Sequence, residues 1–189
     1  MKLAFGNDHL WAQWVAQRIP HMNGQPFGPC VTIGVVDSAG YPVGCVVFTD
    51  HMPQYGNIQI SFAGDQRNWL TRRLMTAILR YPFAQLGAKR ITAIVPPSAT
   101  NATQFLTKMK WVREGCIRRG YGNEDAVVWG LLESEWRWSR FNADRLVTTR
   151  VSTSRAAGRG RRRRRGGRVH APAPSLRAGL SECDAPAHP

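Results

Sequence analysis

Ile58-Gln-Ile-Ser-Phe62 alternates apolar and polar residues, and after Gly64 it gives way to Asp65-Gln-Arg-Asn-Trp-Leu-Thr-Arg-Arg73, rich in arginine. A strand edge carries unpaired backbone N–H and C=O groups, and a helix start carries a cluster of unpaired N–H groups. The first can hold an extended ligand arm and polarise a carbonyl; the second suits a pyrophosphate, through its N–H groups and the helix dipole. Ile60, Ser61 and Phe62 are then the strand contacts, with Arg67, Thr71, Arg72 and Arg73 within reach of phosphates. An ordinary strand–turn–helix with a solvated basic face fits the same residues.

Three side chains have the chemistry of a general base: His51, Asp50 and Glu114. His51 follows a strand end and has a pKa in the working range, although a loop histidine is more often a bystander. Glu114 sits in Arg113-Glu-Gly115 and serves as well as a structural partner for Arg113 or Arg118.

The elements that must position these groups follow from the spacing of apolar residues. Asp8 is placed to cap a helix from about His9 to Arg18, closed by Pro20. Residues 30–36 and 43–48 read as an antiparallel hairpin around the turn Asp37–Tyr41, and Asn57–Phe62 as a third strand. Gly64-Asp65 is predicted to open a long helix to Arg80, terminated by Pro82. Arg90–Val95 is short, β-branched and apolar, as in a strand buried in a sheet. A helix at Asn101, strands over 112–118 and 126–129, and a short segment Leu131–Trp138 complete the pattern. The order predicts a mixed α/β (α+β) domain, a mostly antiparallel sheet flanked by helices.

The segment Asn101-Ala-Thr-Gln-Phe-Leu-Thr-Lys-Met-Lys-Trp111, followed by Val112-Arg-Glu-Gly115, resembles the signature that closes the cofactor half of the GNAT acyltransferases. In that family an Asn-led helix ends in Gly-Phe and an Arg-Glu-Gly-type strand follows. From Val112 to Trp138 the chain is similar to the ribosomal-protein acetyltransferase-like branch, with Asp125 and Gly130 matching its last strand, in a form resembling bacterial and phage copies. The resemblance covers roughly residues 28–138 and implies acetyl-CoA as co-substrate and a primary amine, of a protein or a small molecule, as acceptor. It implies that Asn101 contacts the cofactor arm and Phe105 packs beside it; Asn101 also suits a helix N-cap, and the two roles are compatible.

The chain departs from the family at three places. The glycines of the phosphate loop are missing, with Asn68-Trp-Leu70 and Thr71-Arg72 in their neighbourhood; Lys110 stands for the glycine of Gly-Phe; and Leu106 stands where many members carry a tyrosine that protonates the leaving thiolate. Leucine donates no proton, so the implied mechanism is direct transfer, driven by alignment and by a strand N–H on the carbonyl. The departures equally suit a non-catalytic acyl-CoA-binding relative.

Of the net charge of +14, residues 1–140 contribute 15 Lys/Arg against 9 Asp/Glu, and residues 141–189 contribute 11 Arg against 3 acids. The domain is expected over 1–140, with 141–189 an Arg/Ala/Pro-rich tail too poor in apolar residues to order itself. Its run Gly158–Arg168 suits non-specific nucleic-acid binding that weakens with salt, or is a low-complexity extension without a partner. Cys30, Cys45, Cys116 and Cys183 have no paired spacing, which predicts thiols rather than a metal site, with the first three buried. No apolar run approaches the ~20 residues of a membrane span, so the expected setting is the cytoplasm and the expected state a monomer or homodimer.

Overall fold

The largely buried apolar runs of residues 31–36 and 43–48 and the alternating run 57–62 produce three consecutive antiparallel strands around which the remaining elements assemble. The computed structural model describes residues 1–66 and 68–138. The expected tail over 141–189, with its arginine run and Cys183, lies outside the described residues. The sheet has seven strands: β1 (Lys2–Ala4), β2 (Val31–Val36), β3 (Pro42–Met52), β4 (Asn57–Gly64), β5 (Arg90–Val95), β6 (Val112–Ile117) and β7 (Ala126–Leu132). They lie in the order β1-β2-β3-β4-β5-β7-β6. Every neighbouring pair is antiparallel except β4 and β5.

The helices among the described residues are α1 (Asp8–Ala16), α2 (Arg72–Arg80), α3 (Thr100–Lys108) and α4 (Glu133–Trp138). One core holds Ile78, Leu79 and Leu106 against Phe48, Ile58 and Ile91 of the sheet. A second, smaller core packs Ala12 and Val15 of α1 on Cys45 and Val47. Gly34 permits that packing, because a Cβ there would overlap the Trp11 ring. The expected mixed, mostly antiparallel sheet with flanking helices is the observed architecture.

Several local expectations change. Asp8 does not cap α1: Asn7, in the left-handed region, holds the N-cap position. The Asp8 carboxylate instead accepts bonds from the backbone N–H and the hydroxyl of Thr32, both at 2.7 Å, tying α1 to β2. The long helix from Gly64-Asp65 is shorter than expected. β4 runs on to Gly64, and α2 begins at Arg72 behind a Thr71 N-cap. Between them Trp69 is buried on Gly44 and Gly64, where an added Cβ would overlap its ring. Burying that indole favours the irregular path over another helical turn.

The end of that helix is as expected, α2 closing at Arg80 ahead of Pro82, but the chain goes on coiling beyond it. Pro82 lacks the N–H of a continuing α-helix, and Tyr81–Gln85 widens into a π-turn closed by Leu86 N–H on the Tyr81 carbonyl at 3.1 Å. β1 is too short to be read from the sequence; it pairs with Gly34–Val36. Of the thiols expected to be buried, Cys45 is, whereas Cys30 and Cys116 are half-buried, and no disulfide joins the three. Burial pushes the Cys45 pKa up to about 12.

Candidate functional site

β4 and β5 pair over only three positions, Asn57 with Arg90, Ile58 with Ile91 and Gln59 with Thr92. Beyond them each strand keeps its other neighbour. Ile60, Ser61 and Phe62 stay opposite Phe48, Val47 and Val46 of β3, while Ile94 and Val95 stay opposite Val128 and Val127 of β7. The facing edges therefore part, and the backbone groups they would have exchanged are left to a ligand or to water.

A cavity of 590 Å³ fills the parting, within the range of small-molecule sites. Its walls are Ile60, Ser61 and Phe62 on one strand, Ile94 to Pro96 on the other, and Ser98 to Ala102 at the start of α3. Arg18 to His21, Tyr121 and Glu124 close the remaining side. A second cavity of 400 Å³ shares His21, Ile60, Ser61, Ile94 and Tyr121 with the first and adds Thr49, Asp50 and Gln59. The two spaces thus meet at the parted strands.

Of the residues expected from sequence, Ile60, Ser61, Phe62 and Asn101 are brought together here. Phe105 stands behind them, its ring 5.1 Å from that of Phe62. Asn101 is not the cap of α3; Ala99 holds that position and Asn101 lies in the first turn, exposed at the cleft. Thr71 is a helix cap, its hydroxyl accepting from Leu74 N–H at 3.4 Å. Arg67 lies outside the described residues, and Arg72, described by its backbone, opens α2.

The expected bases separate. His51 is exposed near the end of β3, beyond a register shift after Thr49, and lines neither cavity. Asp50, in the left-handed region at φ 49°, lines the second cavity. Glu114 lines neither cavity and pairs with neither Arg113 nor Arg118. Gly130 of the intervening β7 has no side chain, so the Glu114 carboxylate reaches across it and takes a two-point bond from Arg90, with Nη1 at 3.0 Å and Nη2 closer still. Arg90 also donates to Thr92 at 3.0 Å, and Thr92 to Asn57 at 2.8 Å, a part-buried polar chain across the sheet. Glu114 belongs to that chain.

Other side chains occupy the cleft instead. His21, in a 3₁₀ turn at Pro20–Met22, faces Tyr121 of the β6–β7 connection with ring centroids 4.2 Å apart. The Tyr121 hydroxyl donates to the Ile94 carbonyl at 2.8 Å, anchoring the connection to the cleft edge. Glu124 accepts from Ser98 N–H at 2.6 Å and from its hydroxyl at 2.7 Å, fastening the same connection to the α3 start. Burial lowers the His21 pKa from its ordinary 6.5, and the negative Glu124 partly opposes the shift. Burial raises that of Tyr121, which keeps its proton. Arg18 stacks on Trp14 at 3.6 Å and forms a two-point bond to Asp65 at 2.6 and 2.9 Å.

The one sequence signal for this cluster is Gly120-Tyr-Gly122, which reads as a turn. Gly122 has φ 77°, and Gly120 lies where a Cβ would meet Ala126. Nothing local says that the tyrosine between them points to a histidine one hundred residues earlier. No group of three potential metal ligands occurs among the described residues, and no helix among them is long and apolar enough to cross a membrane.

The sequence matches no protein-family model and no curated protein. Solved structures do resemble it. A chimera of the spermidine N-acetyltransferase of Vibrio cholerae and hSSAT superposes with a TM-score of 0.60 at 15% identity, over 73% of this chain and 98% of that one. A mutant of the Vibrio cholerae enzyme gives 0.59 at 14% identity, over 72% and 97%. A dodecameric form of the same enzyme gives 0.52 at 18% identity, over 58% and 68%. With its parted parallel pair between antiparallel strands, the chain has the fold of the GNAT N-acetyltransferases.

Proposed function

We propose that this chain is an N-acetyltransferase that moves an acetyl group from acetyl-CoA to a primary amine by direct attack. The observation that carries the reading is the parting of β4 and β5 after Gln59 and Thr92, which opens a cavity against an unpaired strand edge. An extended pantetheine arm carries amide groups, and the free edge at Ile60–Phe62 supplies complementary N–H and C=O groups, as an added strand would. A backbone N–H of that edge polarises the thioester carbonyl. Asn101 contacts the arm, Phe105 supports Phe62 behind it, and the pyrophosphate goes to the α2 start, with Arg67, Thr71 and Arg72. The acceptor, a small amine or a protein amine, enters through the second cavity beside Asp50. The neighbours named for spermidine acetylation favour the small amine.

Calorimetric titration of the full chain with acetyl-CoA tests the reading. Binding is expected, and Ala102→Trp, which fills the cleft, is expected to weaken it at least tenfold with the fold retained. A chain that does not bind acetyl-CoA, or an Ala102→Trp variant that binds equally well, would refute it. Leu106, fully buried and with no proton to donate, favours a second reading as an acyl-CoA-binding protein without transfer. Tight binding with no CoA release in the presence of amines selects that reading.

A further inference from the structure

His21 lines both cavities, the one along the open edge of β4 and the one that holds Asp50. Among the ionisable side chains at the junction, an imidazole alone can both accept and return a proton near neutrality. Its place is held by contacts from two other parts of the fold: the Tyr121 ring against it, and the Ile94 carbonyl and Ser98 that fix Tyr121 and Glu124 in turn. Of the three residues expected as the base, His51 lines neither cavity, Glu114 is bonded to Arg90, and Asp50 lines the second cavity but not the first. Leu106 of α3 has no proton to give a departing sulfur.

We propose that His21 is the proton shuttle of the acetyl transfer, its imidazole taking a proton from the acceptor nitrogen and delivering it to the sulfur of CoA. The inference rests on the acetyl-transfer reading above. The nitrogen lone pair of the neutral amine attacks the thioester carbonyl carbon, and the C=O π pair moves to oxygen. As the C–N bond forms, the nitrogen becomes positive and acidic, and neutral His21 takes one of its protons. The oxygen pair then re-forms the carbonyl, the C–S bond breaks with its electrons on sulfur, and the imidazolium protonates the thiolate. Amine and acetyl-CoA become amide and CoA thiol, and His21 ends neutral, so no further reactant enters.

The charged groups around the imidazole are Glu124 from the β6–β7 connection, Arg18 at the end of α1 and Asp50 at the end of β3. Arg18 is neutralised by Asp65. Surroundings that lower the His21 pKa keep it unprotonated at neutral pH, the form a base needs.

The test measures CoA thiol release by the full chain from pH 5 to 9, with spermidine and with hydroxylamine as probe acceptors, alongside calorimetry of acetyl-CoA. The expected wild-type rate falls on the acid side with an apparent pKa below 6.5. His21→Gln is expected to lose about 100-fold or more in kcat and to lose that acid limb, while still binding acetyl-CoA and melting cooperatively. Glu124→Gln removes the charge that favours imidazolium, so it is expected to move the limb to lower pH, which a purely structural role would not do. Should wild type fail to bind acetyl-CoA, the acetyl-transfer reading falls and takes the inference with it. If it binds but releases no thiol with either probe, the transfer reading falls with the shuttle; if it releases thiol and His21→Gln keeps its rate and acid limb, or Glu124→Gln leaves the limb in place, the shuttle alone is overturned.

Discussion

Lys110 is the residue where this chain spends conformational energy most plainly. Its φ of 64° lies in the left-handed region, and the bonds around it form a Schellman closure of α3. Trp111 N–H reaches the Leu106 carbonyl and Lys110 N–H the Thr107 carbonyl, both at 3.0 Å. A lysine there costs roughly 1–2 kcal/mol that a glycine would not, less the greater chain entropy that glycine loses on folding. Lys110→Gly is therefore expected to stabilise the domain by about 1 kcal/mol, read as a rise in Tm of roughly 2–4 °C by calorimetry.

A second residue-scale expectation concerns pH. The Arg18 guanidinium, bonded to Asp65, holds that carboxyl below its ordinary 3.8. A lowered folded-state pKa adds stability that is present above the unfolded value and fades as pH falls through the folded one. The pair is largely exposed, so Asp65→Asn is expected to cost under about 1 kcal/mol at pH 7. The cost should shrink toward nothing as denaturation is repeated below the ordinary 3.8.

At the scale of elements, the segment between β4 and α2 explains how the chain manages without the glycine loop that its resemblance leads one to expect. Trp69 takes the room, lying on the bare backbones of Gly44 and Gly64. Gly44→Ala is expected to destabilise by about 1–3 kcal/mol through overpacking. A smaller ring-free partner in the double variant with Trp69→Leu should recover part of that loss, a coupling that urea denaturation of the four proteins measures. The Arg90–Glu114 bond works at the same scale, joining β5 to β6 across the glycine gap in β7. Truncating either partner removes a cross-sheet tie and leaves the cleft walls in place.

For the whole molecule, the cleft is built from residues between Arg18 and Glu124, on strands and turns of one compact unit. A chain ending at residue 140 is therefore expected to bind acetyl-CoA with the affinity of the full chain, measured by the same titration. The arginine run belongs to a separate reading. If Arg161 to Arg165 contact nucleic-acid phosphates, replacing all five by glutamine flattens the dependence of DNA binding on salt. Acetyl-CoA binding is expected to be unaffected by that change.

Short-range chemistry made much of this protein legible from its sequence. Arg90–Val95 begins and ends as its β-branched run predicts, and the hairpin, the third strand and the helix closing at Lys110-Trp111 follow from alternation, turn residues and periodicity. That Lys110 keeps the left-handed conformation of the glycine it stands for was not legible, since other helix ends of this chain close in the right-handed region. Trp69 misled, since its burial against two strand glycines overrides the local preference for helix.

Ile60, Ser61, Phe62 and Asn101 were legible as site residues, but which side chains meet them was decided by tertiary structure. His21, Asp50, Ile60, Tyr121 and Glu124 come from four stretches of chain and meet because β4 and β5 pair for three residues and then follow different neighbours. That choice depends on the sum of contacts along both edges of each strand, and no single segment carries it. The same long-range sum took Glu114 away from the cleft, by placing a side-chain-free glycine between it and Arg90.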